Sequence, residues 1–357
     1  MYCSKCGTQN PDNAQVCNSC SSELPKASKS TDELAPKISG LAIAAFVLGI
    51  LSLFTCGVTA LPAIILGVVS FIIIEKSGGR LTGTNFSVMG IIIPVCVCLA
   101  LGILLPALFH ARRRDSRMAC GKNLSVIGKA MLIYANDYDD AFPRSGGKDS
   151  IWAGHIPNWW AENRFDAYGL NADGSGGKGN ISSCFYLLVK YYEVTSKSFL
   201  CKGDVGVTQF NPTRDFQLTD LWDFGMEPST HCSYSYHQPF SRFPLTTSGE
   251  PGMAVAADRN PWLIAPGADP KNIALYNPDG GRKAVRAGNA VTHQEDAQNV
   301  LFVDIHVGQE KRPCCGINDD NIYTYWDGGD IRIGSPPQIG ISQPHDKLDS
   351  LLVHDGL

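Results

Sequence analysis

From Gly40 to Ile74 no residue is charged, and from Leu81 to Phe109 none is charged either. Runs this long and this apolar do not build a water-facing surface. They read as membrane helices rather than as core helices of a water-soluble fold. Leu41 to Ile74 covers 34 residues. As one helix it would measure about 50 Å, against a hydrocarbon core of ~30 Å. Thr55-Cys56-Gly57 and Pro62 interrupt it. Two short spans joined by a tight turn are therefore predicted, with one long, kinked span as the alternative. Glu75 to Arg80 forms a polar loop, and a further span runs from about Phe86 to Phe109. Gly49, Gly57, Gly67, Gly90 and Gly102 suit closely packed membrane helices. The transmembrane block is thus 40–109, with two or three spans.

The chain's 357 residues suffice for two or more domains. Its formal net charge of −4 argues against nucleic acid as a partner, which would favour a strongly basic surface. No secretory signal is read at the start, because the first apolar run follows a complete small domain. That domain holds Cys3-Ser-Lys-Cys6-Gly and Cys17-Asn-Ser-Cys20. Two Cys-x-x-Cys knuckles at this separation place four thiolates around Zn²⁺. So short a segment buries no useful core, so the metal supplies its folding energy. Redox pairs are the competing reading, but no βαβ pattern surrounds them. A closed set of four cysteines makes the zinc structural, and reduced thiols place the ribbon in the cytosol. The segment resembles the short zinc ribbons that precede membrane segments in many bacterial proteins. Residues 25–39 read as a polar linker.

The membrane block resembles a small uncharacterised bacterial membrane domain found downstream of zinc ribbons. The resemblance lies in Ser39 to Ala44, Leu48-Gly49-Ile50 and Ser77 to Gly83. It implies attachment and helix packing, with no chemistry.

After the last span Leu124, Ile127, Met131, Tyr134 and Tyr138 recur at three- and four-residue spacing. This is one face of an amphipathic helix, ended by Asp137, Asp139, Asp140 and Pro143. One helix can therefore run from the span into the globular region, bent at Pro106. Here the chain resembles the type IV pilin and type II secretion pseudopilin-like proteins of planctomycetes. The residues that carry this are Leu104 to Leu108, Cys120 to Ala130, Tyr134 to Asp139, Phe142-Pro143, Phe199 to Asp204, Ser233 to Tyr236, Ala256 to Pro261, His293, and Asn299 to Val307. The resemblance implies an α+β domain, a long N-terminal helix on a small antiparallel sheet with long loops. The chain departs from that family at three points. Gly83 is followed by Thr84, Asn85 and Phe86, and Val88 stands where the family has a Glu. Ile305 stands where the family has a Gly after the strand Asp. Prepilin-type processing and entry into a filament are therefore not expected.

Several residues could carry chemistry. His293, Asp304 and His306 are metal-ligand types, and Asp304 and His306 are two apart on an expected strand, facing one side. Asp258 joins them as a candidate. The competing reading is hydrogen bonding that holds the strand and its loop. Gln294-Glu295-Asp296 with Asp258 offers oxygens for Ca²⁺, which some pseudopilins bind. Cys120 and Cys201 resemble a family pair that ties the neck helix to the sheet, with a disulfide expected in an oxidising compartment. Cys314 and Cys315 could pair elsewhere, with Cys184 and Cys232 as partners; connectivity stays open. No nucleophile elbow, P-loop or dinucleotide fingerprint occurs. Gly174 to Gly179 is read as a loop, and Trp152, Trp159, Trp160 and Tyr168 as loop packing rather than a sugar or protein site.

The expected organisation is multidomain: zinc ribbon 1–24, linker 25–39, transmembrane block 40–109, neck helix 110–142 and pilin-like domain 143–357. The expected function is that of a non-enzymatic envelope protein of the bacterial inner membrane. Its ribbon is cytosolic and its pilin-like domain extracytoplasmic. It acts through assembly or contact with other envelope, secretion or pilus proteins, and self-associates through membrane and neck helices. With three spans, Arg112, Arg113, Arg114 and Arg117 sit outside, against the positive-inside tendency; with two, the domain stays cytosolic. Two other readings remain: a membrane-tethered sensor or adaptor that uses the ribbon for a cytosolic partner, and a metal-dependent enzyme using His293, Asp304 and His306.

Overall fold

The computed structural model describes residues 1–12, 14–24, 37–213 and 215–356, and excludes the side chains of residues 110, 112 and 113. Most of the expected linker and the side chains of Arg112 and Arg113 thus lie outside the described residues. The chain divides into two compact units, Met1–Leu108 and Phe109–Leu357.

In the first unit, β1 (Lys37–Ile38) pairs in parallel with β2 (Leu81–Thr82). Between them α1 (Gly40–Phe54) and α2 (Ala60–Lys76) form a helical hairpin. The turn falls where the sequence interrupts itself, with Cys56 and Gly57 both at positive φ. At 15 and 17 residues, α1 and α2 are shorter than the roughly 20 residues that a ~30 Å hydrocarbon core requires. Among the described residues, α3 (Thr84–Asp137) is the one helix long and apolar enough to cross a membrane.

The seam between these helices is made of small residues. Ala42, Ala45, Gly49 and Ser52 are buried on α1, and Ala60, Ala63, Gly67 and Ser70 on α2. Ser87 and Gly90 are buried on α3. Their three- and four-residue spacing is that of interlocking helix faces. A Cβ on Gly90 would lie 2.8 Å from the Ala45 carbonyl carbon, so only hydrogen fits there. The Ser70 and Ser87 hydroxyls meet at 2.7 Å. Large apolar side chains point away from the seam: Leu61 is 72% exposed and Ile103 74%.

The second unit begins on the last part of α3. Leu124, Ile127, Met131 and Tyr134 of the expected stripe are all buried, Cys120 extends it by a turn, and Tyr138 is exposed. Tyr138 lies just beyond the helix, stacked on Tyr134 with ring centroids 4.1 Å apart. Asp139 and Asp140 take positive φ, which stops the helix. Then follow β3 (Ile151–Trp152), α4 (Arg164–Tyr168), β4 (Lys178–Gly179) and α5 (Ile181–Tyr192). The strands β5 (Tyr234–His237), β6 (Ala254–Asp258), β7 (Gln298–Phe302), β8 (Val307–Glu310) and β9 (Leu352–Val353) form one sheet. Its order is β8-β7-β6-β5-β9, and every neighbouring pair is antiparallel. A short helix, α6 (Arg282–Arg286), lies in the β6–β7 connection.

Both sheet faces are buried. Val255, Ala256, Leu301 and Val303 share a core with the α3 stripe and with Phe185 and Leu188 of α5. Ala254, Ala257, Val300 and Phe302 pack instead with Trp262, Tyr276, Ile322 and Tyr323 from the long loops. The helix lies close on β7 and its turn, since a Cβ on Gly128 would sit 2.8 Å from Leu301 Cδ1 and 3.1 Å from Ile305 Cγ2.

The β7–β8 turn corrects the expected strand through Asp304 and His306. Pairing stops at Phe302; the Ile305 N–H donates to the Phe302 carbonyl at 2.9 Å, and Phe302 donates to His306 at 3.1 Å. Ile305 has φ +66°, which a β-branched residue rarely adopts and a Gly adopts freely. The position therefore takes the backbone that a Gly would adopt freely, while the isoleucine side chain rests on the core.

The aromatic residues of 152–168 do not form one patch. Trp152 and Tyr168 are buried, and Trp159 and Trp160 flank Phe216. Trp152 donates its indole N–H to Asp355 at 3.2 Å. The same carboxylate accepts from the backbone N–H groups of Ile181 (2.9 Å) and Ser182 (2.8 Å). Asn180 caps the next turn through the Ser183 N–H at 2.9 Å. These partners satisfy the first donors of α5, whose partial positive charge suits a carboxylate.

Two predictions follow from these buried carboxylates. Asp355→Ala leaves three buried donors unpaired and lowers stability by about 2–3 kcal/mol. The melting temperature of the second unit should fall by about 5–10 °C, read by circular dichroism. Asp320, whose carboxylate accepts from Ser350 N–H at 2.8 Å, is pushed up to about 8 by burial and by nearby Asp349. The folded state therefore holds its proton while an unfolded Asp ionises near ~4, so stability declines as pH rises through that window. Asp320→Asn removes this slope; its melting temperature should gain on the wild type steadily from pH 4 to 8.

Candidate metal centres

The first centre is built locally. In each knuckle the residue after the second cysteine turns back: Gly7 N–H donates to Cys3 O and Ser21 N–H to Cys17 O, both at 2.9 Å. Gly7 and Ser21 take positive φ to do so. Cys3 and Cys20 sulfurs lie 3.6 Å apart, and Cys6 and Cys17 sulfurs 3.5 Å. The edge of a Zn–S₄ tetrahedron is about 3.8 Å for bonds of ~2.3 Å, so the four sulfurs nearly match it. All four form one cluster of donor atoms. The Ser22 hydroxyl and the Lys5 and Cys6 N–H groups bring Cys3 down to about 6, which favours the thiolate a metal needs. Cys3 and Cys17 are buried beside Leu24, the whole of this small core.

The second centre gathers residues far apart in the chain. Cys120 comes from the α3 stripe, Cys201 follows the 3₁₀ turn Ser196–Phe199, Asp258 ends β6, and His293 closes the 3₁₀ turn Val291–His293. Each offers one donor atom, and all four atoms lie within 4.8 Å of one another. All four residues are buried. His293 Nε2 lies 3.5 Å from Cys201 Sγ and 3.3 Å from Asp258 Oδ2. Asn299, beside Asp258 in the sheet, orients that carboxylate: its N–H donates to Oδ2 at 2.7 Å and its side-chain amide at 3.2 Å. Gly203 N–H points at Cys201 Sγ at 3.4 Å. The hydrogen bond with Cys201, helped by His293, brings Cys120 down to about 6, while that same contact and burial push Cys201 up. Burial opposes charge on His293, but Asp258 and Cys120 outweigh it and raise the imidazole to about 10. A cleft of about 390 Å³, lined by Cys120, Cys201, Asn123 and Asp204 among others, adjoins the cluster. Arg259 and Asp204 pair at 3.3 Å nearby.

The structure regroups the residues that the sequence singles out. His293 and Asp258 stand together, joined by Cys120 and Cys201. Asp304 and His306 do not belong to that group. They form an exposed pair at 2.5 Å in the β7–β8 turn, with the imidazole stacked on Phe302. The calcium reading gains no support, because the acidic residues are already matched by cations. Asp296 bridges Arg117 (2.8 Å) and Arg286 (2.5 Å), and Glu295 meets Lys271 at 3.0 Å. Cys120 and Cys201, the pair suggested to tie the neck helix to the sheet, come together in the second centre with their sulfurs within 4.8 Å of each other. Cys184 contacts Ser145 at 3.3 Å and Cys314 the Tyr276 hydroxyl at 2.6 Å, in different cores, which separates the other suggested pairs.

Residues 2–24 match the zinc-ribbon domain family, in agreement with the four-sulfur geometry. No curated protein and no solved structure matches the chain. The N-terminal segment is therefore a zinc ribbon with a structural metal site of Cys3, Cys6, Cys17 and Cys20. Replacing Cys3 and Cys6 by Ser should expose residues 1–24 to limited proteolysis and leave the thermal transition of the second unit unmoved.

Proposed function

We propose that this chain is a non-enzymatic membrane protein of the bacterial envelope. Its zinc ribbon faces the cytosol, and its pseudopilin-like domain acts outside through contact with other envelope proteins. The observation that carries this reading is the inverted helix packing of the first unit. Small residues fill the seam between α1, α2 and α3, and large aliphatic side chains face outward. Water punishes that arrangement, by ~25 cal/mol for each Å² of exposed apolar surface, whereas lipid does not. The three helices then act as one membrane-embedded bundle, with α3 as the full span and α1–α2 as a shorter hairpin beside it. The end of α3 on a five-stranded antiparallel sheet is the arrangement the pseudopilin resemblance implies. With Val88 in place of the family's Glu, contact is proposed rather than filament entry.

The ribbon favours a second reading, a membrane-tethered sensor or adaptor with a cytosolic partner, because a closed four-cysteine site has no free position for chemistry.

One topology experiment separates them. Val205, 74% exposed in the second unit, is replaced by Cys. Intact spheroplasts are then treated with a membrane-impermeant maleimide. Labelling before lysis is the expected result. Labelling only after the membrane is broken moves the domain to the cytosol and gives the adaptor reading the lead. Recovery of the chain in the soluble fraction would sink both.

A further inference from the structure

We infer that Cys120, Cys201, Asp258 and His293 bind a second zinc ion, a structural clasp inside the second unit. The first argument is distance. Zn–N and Zn–O bonds of about 2.0–2.1 Å and Zn–S bonds of ~2.3 Å set tetrahedral edges near 3.5 Å for S···N and ~3.4 Å for N···O. The observed separations are 3.5 Å for Cys201 Sγ to His293 Nε2 and 3.3 Å for His293 Nε2 to Asp258 Oδ2. Four buried side chains thus stand at the spacing of a coordination shell around a shared centre.

The second argument is an unpartnered buried acceptor. His293 Nε2 faces Cys201 Sγ and Asp258 Oδ2, and the Asn299 amide, 3.4 Å from Nε2, donates to the same Oδ2. Asp258 Oδ1 is buried with no hydrogen-bond partner at all. A cation at the centre takes the Nε2 lone pair, the two thiolates and the carboxylate together.

Chemistry selects the metal. Two thiolates, an imidazole and one carboxylate suit Zn²⁺, and exclude the all-oxygen shells that Mg²⁺ and Ca²⁺ require. Asn299 holds the carboxylate in place, as groups behind metal ligands do. The adjoining cleft, whose lining includes Cys120 and Cys201, supplies an entry path. Four protein ligands leave no open position, so the ion holds α3 to the sheet and its loops rather than performing a reaction. Binding releases the protons of both thiols. The inference is independent of the side of the membrane on which the unit lies.

The full chain is purified in detergent without chelator, and bound zinc is counted by elemental mass spectrometry. The wild type should hold close to two ions, one for each four-donor group. The Cys3→Ser, Cys6→Ser double variant removes the ribbon site alone and should hold close to one. Co²⁺ exchanged into that variant should give tetrahedral ligand-field bands and a thiolate charge-transfer band. A metal-free ribbon variant whose second unit keeps its circular dichroism and melting transition overturns the assignment. So does a Cys120–Cys201 disulfide in the freshly purified chain, found by mass spectrometry after alkylation. Cys201→Ser in the ribbon variant should abolish the remaining ion. Because that change can also unfold the unit, Asp258→Asn, which keeps an acceptor for Asn299, is the companion test. It should weaken zinc about 10-fold or more in competition with a chromophoric chelator, with the circular dichroism unchanged. Unaltered affinity would remove Asp258 from the ligand set.

Discussion

The stripe Cys120, Leu124, Ile127, Met131 and Tyr134 is the seam along which the second unit closes. Each turn of α3 there meets a different partner. Cys120 enters the four-donor cluster, Gly121 approaches Asn299 and Val307, and Gly128 approaches Leu301 and Ile305. Tyr134 reaches Tyr192 at the end of α5. Helix, central strands and second helix thus share one apolar interior. Burial of a side chain of this size stabilises by about 1.5–3 kcal/mol, and the stripe shares that interior with Phe185, Tyr186 and Leu188 of α5. The polar features, such as the Asp355 cap and the Asp258–Asn299 pair, fix orientations within a frame that the stripe has already set.

Features encoded by short spacings were legible in the sequence. The ribbon depends on two knuckles whose ligands are two residues apart, and its geometry follows. The α3 stripe follows from three- and four-residue periodicity, and the α1–α2 turn from Thr55-Cys56-Gly57 and Pro62. In each case the information lies within one or two turns of chain. The lengths of α1 and α2 were less legible, because an apolar run does not mark where its helix starts and stops.

The second centre was legible only in pieces. Cys120 with Cys201, and His293 with Asp258, each invited attention, but no local spacing joins residues drawn from α3, a loop, a 3₁₀ turn and β6. Every one of the four sits inside a motif that carries the pseudopilin resemblance, so a signal was present without its geometry. Asp304 and His306 misled for the opposite reason. Their spacing is that of a strand face, and Ile305 between them is a strong strand former. Tertiary packing overrides that preference, since Ile305 rests against Gly128 while its backbone takes the turn that a glycine would make.

The two donor clusters also differ in when they can form. Cys3 and Cys20 are 17 residues apart, whereas Cys201 and His293 are 92 apart. Closing the longer loop in an unstructured chain costs about 1.5 kcal/mol more, and Cys120 and Asp258 must arrive as well. The ribbon's sulfurs can meet while the rest of the chain is still being synthesised. Those of the second cluster need α3, β6 and two loops to be in place together. A nascent chain that has not yet reached His293 therefore holds a complete ribbon ligand set and an incomplete second one.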